Sequence, residues 1–364
     1  MEQFISSIND PINGIVWGWP MVLLIAFTGV LLMLGLRFMP LQRLPYGIRM
    51  LLQRDATQND GDITPFQALM TSLSATIGTG NIAGVAGAIA IGGPGAVFWM
   101  WVIAVFGIAT KYAEAVLAVR YREVDSLGNH VGGPMYYIRN GLGPNWQWLA
   151  VLFAVFGMLA GFGIGNGVQC FEVSSALATL GIPRLVTGIV LGAVVFAVII
   201  GGIQRISKAA SAIVPLMSGL YLLACVLVLL INIGSVPEAF ATIFANAFSG
   251  EAAAGGAFGQ VVLMGFKRGI FSNEAGLGTA PIAQASACPG DPVLQGSVAM
   301  LGTVIDTLII CTMTALVIVI SGQYLESGQG VMLTKSACDW ACPGAGHLVS
   351  FAAVTFTATT ILGW

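Results

Sequence analysis

Residues 71–84 read TSLSATIGTGNIAG. Their hydroxyl and amide oxygens are neutral ligands, and Gly78, Gly80 and Gly84 lie among them. Glycine costs about 1 kcal/mol relative to alanine inside a helix, so this segment unwinds cheaply. Where a half-helix restarts, its free N–H groups suit a carboxylate, and freed carbonyls suit Na⁺. A second stretch, VLMGFKRGIFSNEAGLGTAPIAQ at 262–284, is also interrupted by glycine and carries Lys267, Arg268 and Glu274. NIAGVAGAIA (81–90) aligns with NEAGLGTAPIA (273–283), and both contain N-x-A-G.

Plainer readings stand beside this one. Glycines in membrane helices also serve close helix packing. GTGNIAG imitates a phosphate-binding loop, but it lacks the strand–loop–helix setting and the Lys-Ser/Thr that such loops need. Other ionisable groups fall within apolar runs, where they are costly and therefore informative. Lys111 and Glu114, three apart on one helix, are expected to pair with each other. Glu172 and Asp306 either contact a coupling ion or satisfy backbone or a threonine on a neighbouring helix. Lys267, Arg268 and Glu274 are expected to tether the second broken helix or to form a gate.

These residues need elements that hold them inside a bilayer. The chain has 364 residues, 57% hydrophobic and 8% charged, with a mean hydropathy of +0.88. Water-soluble domains carry about 25% charge, so the expected fold is an all-α polytopic membrane protein. Apolar segments fall at about 16–36, 66–92, 96–119, 147–179, 184–203, 211–233, 257–285, 293–321 and 345–364, most of them long enough for a hydrocarbon core of roughly 30 Å. Trp17 and Trp19 suit an interfacial anchor, and the basic, partly amphipathic stretch 37–62 suits a membrane surface. The Gly/Ala-rich loop 234–256 has room for a short re-entrant or surface helix.

With the N-terminus outside, the inner loops hold Arg37, Arg43, Arg49, Arg54, Arg120, Arg122, Arg139, Arg205 and Lys208, against Arg184 and Lys335 outside. The positive-inside rule therefore selects a multi-pass protein of the cell membrane with its N-terminus outside. The first apolar segment lacks a basic n-region and reads as a mature helix. Cysteines are scattered, apart from Cys338 and Cys342, which read as two loop thiols in preference to a disulfide or half a metal site. Two histidines, His130 and His347, give no basis for a histidine-built metal or catalytic centre. No basic patch suits a nucleic acid.

The motifs resemble those of the sodium:alanine symporters, also called alanine/glycine:cation symporters. GTGNIAGVAGAIAIGGPGAVFWMW (78–101), HVGGPMYYI (130–138), FKRGIFSNEAGLGTAPIA (266–283) and VLQGSVAMLGTVIDTLIICTMTAL (293–316) carry the resemblance, which extends over essentially the whole chain. It implies a leucine-transporter-type fold of the amino acid–polyamine–organocation superfamily, with inverted five-helix repeats and broken helices in a single transmembrane domain over 1–364. An extra helix at about 16–36 would precede a first repeat at about 62–233 and a partial second repeat at about 257–364. FTATTILGW resembles the family's ninth helix cut short, so the last two helices are expected to be missing.

The resemblance further implies Na⁺-coupled symport of alanine and glycine by alternating access, with Na⁺ as the co-transported ion and no organic cofactor. Carried onto this sequence, the substrate carboxylate would meet Thr79, Gly80 and Asn81. Gln169, with Gly165 giving it room one turn away, would bond the substrate. Phe271, Ser272 and Asn273 on the seventh helix would meet the amino group or cover the side chain, and Gly165 and Gly276 are small enough for a pocket that takes a small substrate. For Na⁺, the implied site lies between the backbone around Ala75 and Gly78 and the hydroxyls of Thr359 and Thr360, an all-oxygen shell suited to a hard cation. Membrane lipid is the expected surrounding, and the sequence is silent on oligomeric state. The alternatives are a H⁺-coupled amino-acid carrier in which Glu172 or Asp306 titrates, an inactive truncated fragment, and a channel or binding protein. A membrane enzyme is disfavoured, because no nucleophile–base pair is visible.

Overall fold

The computed structural model describes every residue except Met1, 53–60, 179–180, 250–257, 289 and 326–329; the side chains at 2–6, 8, 10, 164, 168, 172, 175 and 176 are also outside the description. Arg54 and the side chain of Glu172 fall among these. Helices account for nearly all the secondary structure. The exceptions among the described residues are a two-stranded antiparallel ribbon, β1 (Glu123–Val124) with β2 (His130–Val131), and a parallel bridge between Ile63 and Ala287.

In chain order the helices are α1 (Glu2–Val16), α2 (Trp19–Gly35), α3 (Met39–Gln42), α4 (Leu44–Leu52), α5 (Pro65–Thr76), α6 (Gly80–Gly92) and α7 (Ala96–Arg120). Then come α8 (Pro134–Leu142), α9 (Gln147–Ala160), α10 (Gln169–Ala178), α11 (Arg184–Ile199), α12 (Gly202–Ile231) and α13 (Val236–Ser249). The last are α14 (Phe258–Asn273), α15 (Ala280–Gln284), α16 (Pro292–Ser321), α17 (Gly330–Ala341) and α18 (Ala345–Gly363). Six spans among the described residues are long and apolar enough to cross a membrane, and α5 with α6 adds a seventh, bent by 57°. The two remaining apolar segments of the sequence form shorter helices. α11 has 16 residues, and α14 stops at Asn273, where the chain unwinds. The loop 234–256 carries a helix, α13.

Sequence signals set the helix ends. Thr64 and Gln67 form a reciprocal capping box before Pro65, with Gln67 N–H donating to Thr64 Oγ1 at 3.2 Å and Thr64 N–H to Gln67 Oε1 at 3.0 Å. Asp291 caps α16 one way only, its side chain accepting the N–H groups of Val293 and Leu294, with Pro292 in the first turn.

Packing centres on α7, which is buried along most of its length and lies against α2, α14 and the first part of α16. In a bilayer, lipid is as apolar as leucine, so close approach of backbones and directed polar contacts hold helices together. The α7–α14 contact has that form. A Cβ at Gly265 would lie 2.5 Å from Ala96 O, and one at Gly269 would lie 2.4 Å from Ile103 Cγ2. GFKRG is thus a small-xxx-small face. On the other side, α5, α12 and α18 pack together, with Tyr221 edge-on to Phe356 at 5.3 Å and its hydroxyl 2.7 Å from Thr314 Oγ1. Leu185, Ile189, Phe196 and Ile200 of the α11 region are exposed and suit lipid.

At the basic end of the bundle the outer tips of the two broken helices are stitched together. Asp62 N–H donates to Ser286 O at 2.8 Å and Cys288 N–H to Ile63 O at 2.8 Å. Arg122 Nη1 donates to Ala285 O and Ala287 O. Asp62 also accepts the His130 N–H at 2.7 Å. Cys338 and Cys342 are free thiols. Gly265→Ala is expected to overpack α7 against α14 and destabilise the protein by about 1–3 kcal/mol. Gly188→Ala in α11, where nothing lies within 4 Å of the added carbon, should cost nothing, and thermal unfolding in detergent compares the two.

Candidate substrate and cation site

The break in the second membrane helix begins at Ile77, which leaves the helix with φ −76° and ψ 96°. Helix resumes at Gly80 with a wider i→i+5 turn through Gly84. Asn81, fully buried, serves as an internal cap: its Oδ1 accepts the Gly78 N–H at 2.9 Å. Short polar side chains compete with helical hydrogen bonds in this way, so asparagine and glycine together account for the local unwinding.

The second break follows α14. Glu274, Gly276 and Gly278 have φ of +55°, +90° and +78°, a left-handed path that glycine takes freely and glutamate does not. Ser272 and Asn273 are thus the last helical residues before an open segment that runs to Thr279.

The two breaks meet at Asp306, which is fully buried on a widened turn of α16, Val304–Cys311. Asn81 Nδ2 donates to Asp306 Oδ1 at 2.7 Å. Ser272 Oγ and Thr307 Oγ1 donate to Asp306 Oδ2 at 2.7 and 2.8 Å. Asn273 Nδ2 donates to Thr307 Oγ1 at 3.1 Å, and Asn273 Oδ1 accepts the Ala275 N–H at 2.9 Å. A continuous chain of polar contacts therefore runs from Gly78 in one break to Ala275 in the other. Cys311 Sγ adds contacts to Ser272 Oγ at 3.2 Å and Asn81 Nδ2 at 3.4 Å. Three donors on one carboxylate are what a buried anion requires.

Sequence reasoning singled out Asp306 without its partners, and it missed Thr307 and Cys311. The intramembrane carboxylate was the available signal. Gly80 lies against Phe271 and Ser272, and Phe271 is edge-on to Trp17 at 6.1 Å. Thr79 sits at the start of α6.

Near the first break the predicted cation ligands divide. Thr360 Oγ1 reaches Ile77 O at 3.4 Å, and a Cβ at Gly78 would lie 2.6 Å from that hydroxyl. Only glycine lets the last helix approach so closely. Gly363 sits against Ala75 and Ser74 in the same way. Thr359 points elsewhere: its hydroxyl bonds Phe356 O at 2.9 Å and lies 3.1 Å from Met217 Sδ on α12. The donors at the break are uncharged oxygens, the set that a hard monovalent cation accepts.

Other expected residues sit farther out. Gly165 packs on the Trp364 side chain, and Gln169 is buried where α10 meets α18, with no hydrogen-bond partner for its Oε1 among the described residues. Gly276 faces Ile25 of α2 and Thr110 of α7. Arg268 of α14 lies against Gly87 of α6. The expected Lys111–Glu114 pair is not formed, because Glu114 Oε1 accepts the Gly278 N–H at 3.1 Å, while Lys111 Nζ has no hydrogen-bond partner among the described residues. A cavity of about 670 Å³ runs from the β1–β2 loop, past Tyr136 and Phe153, to Ala75 beside the first break.

The chain matches the sodium:alanine symporter family over residues 1–364. It is 48% identical over 370 residues to the sodium/alanine symporter AgcS of Methanococcus maripaludis, covering all of this chain and 82% of that protein. It is 42% identical to the probable sodium/glutamine symporter GlnT of Bacillus subtilis, covering 93% of this chain and 70% of GlnT. It is 37% identical to the putative sodium/proton-dependent alanine carrier protein YrbD of the same bacterium, covering 100% and 77%. Two broken helices joined at a buried carboxylate, in a chain so similar to ion-coupled carriers, lead to one conclusion: this chain belongs to the sodium:alanine symporter family.

Proposed function

We propose that the chain is a secondary transporter that carries alanine or glycine together with Na⁺ by alternating access. The observation that supports this best is the Asn81–Asp306–Ser272 junction, which ties the restart of one broken helix to the end of the other. A zwitterion needs both poles of such a site. Its carboxylate suits the N–H groups at the start of α6, at Thr79, Gly80 and Asn81, where the helix dipole is positive. Its ammonium suits the carbonyl-rich end of α14 around Phe271, Ser272 and Asn273, with the Asp306 charge behind. Gly165, Gln169 and Gly276 remain candidates for positions that come into contact as the bundle moves.

Na⁺ is assigned to the oxygens around Ala75, Ile77, Gly78 and Thr360, with Thr359 supporting the last helix from the side. An ion there pins α5 to α18. Substrate bound between α6 and α14 favours the same arrangement, so each raises the affinity of the other. The two breaks, one in each half of the chain, support the inverted-repeat architecture of leucine-transporter-type carriers. The cavity that ends at Ala75 suits a conformation facing the basic side of the bundle, which is the cytoplasmic side if the N-terminus lies outside.

A proton-coupled version of the reading is kept, because Asp306 is a buried carboxylate at the junction. Alanine uptake into proteoliposomes should require a Na⁺ gradient at every pH tested. Alanine binding that is indifferent to Na⁺ would sink the Na⁺-coupled reading. Uptake driven by a pH gradient alone, and lost in Asp306→Asn, would replace it with the proton-coupled one. Thr360→Ala should raise the Na⁺ concentration for half-maximal uptake about tenfold, equivalent to about 1.4 kcal/mol, and Thr359→Ala should change it far less. Orientation is checked by Leu127→Cys, at an 84% exposed position in the β1–β2 loop, in a background without other cysteines. A membrane-impermeant thiol reagent should label it only from the cytoplasmic side.

A further inference from the structure

Beside the second break lies a group of charges that the transport reading does not use. Lys111 and Glu114 of α7 are 3% and 8% exposed, and Glu274, the first residue of the unwound segment, is 6% exposed. Glu114 Oε1 accepts the Gly278 N–H at 3.1 Å, and Glu274 Oε2 accepts the Thr279 hydroxyl. Both carboxylates therefore grip the open stretch 274–279, one from α7 and one from within. The remaining oxygen of Glu114, Oε2, is buried with no hydrogen-bond partner among the described residues, and so is Lys111 Nζ. Lys111 lies within electrostatic reach of Glu114, Glu274 and Asp306. Tyr137 of α8 also lies within electrostatic reach of Glu114. A cavity of about 10 Å³, the size of one water, lies one residue away along both chains, lined by Thr110, Asn273 and Ala275.

Counting charge decides what is missing. One ammonium stands against two glutamates, and Asp306 has its own three donors, so the cluster is one positive charge short. A net buried charge is far costlier than a neutral group, and a titratable site resolves the excess by binding a proton. The single orphaned oxygen is where a proton would go.

We propose that Lys111, Glu114 and Glu274 form a proton-binding site, separate from the cation site at Thr360, which takes up one proton on Glu114 Oε2 and fastens the unwound segment 274–279 to α7. The chemistry is a plain proton transfer: hydronium gives its proton to the carboxylate and departs as water. The neutral cluster holds Gly278 in place. Loss of the proton leaves an excess anion in a dry setting and favours movement of the segment toward water.

Infrared spectroscopy of the purified chain in lipid at neutral pH tests this without relying on transport, so it fails separately from the symport reading. The wild type should show the carbonyl band of a protonated carboxyl, shifting in D₂O. Glu114→Gln balances the cluster and should lose that band. Lys111→Met leaves two bare carboxylates and should raise it about twofold. The double variant Lys111→Met/Glu114→Gln restores a deficit of one and should return it to the wild-type level, which keeps the test decisive if either single variant folds poorly. A wild-type spectrum without the band, or a band that these substitutions leave unchanged, overturns the proposal.

Discussion

The structure depends on one buried carboxylate being fully satisfied. Asp306 is fully buried, and Asn81, Ser272 and Thr307 each turn a donor toward it, which is what makes a charge tolerable there. Those donors come from both broken helices and from α16 itself. Removing the carboxylate would leave Asn81, Ser272 and Thr307 without their shared acceptor, and displacing either helix would strip donors from the buried carboxylate. The junction is therefore a constraint on where the broken ends can be.

The packing of α7 complements it. Through Gly265 and Gly269, α14 is held close to α7 as far as Asn273, and beyond that point the non-helical chain is held by hydrogen bonds to Glu114 and from Thr279 and by side chains packed on Gly276 and Gly278. Rigid and deformable backbone thus meet within two residues of the candidate site. At the first break, too, α5 is packed against α12 and α18, and after the buried Ile77 the chain meets Asn81 and Thr360. Local weakness flanked by firm packing is the arrangement that alternate conformations need.

Much of this was legible in the sequence, for local reasons. Glycine, threonine and asparagine in TSLSATIGTGNIAG announce a weak helix because their effects on backbone are intrinsic. The partners of Asp306 were not legible, because Asn81 and Asp306 are 225 residues apart and only packing brings them together. The choice between Thr359 and Thr360 was closed for a similar reason: adjacent helical residues point about 100° apart, and the sequence does not reveal which faces the break. Lys111 and Glu114 have the spacing of a helical pair, yet a backbone N–H exposed by the unwinding of another helix outcompeted the lysine for Glu114.

The stitch at the basic end carries a mechanical meaning. Asp62 and Ile63 before α5, and Ser286 to Cys288 after α15, are bonded to each other strand-fashion, and His130 and Arg122 fasten the joint from the loop beyond α7. The half-helices α5 and α15 are then two arms of a yoke. The joint ties their outer ends to each other through backbone hydrogen bonds, so displacement of one arm at this end is passed directly to the other.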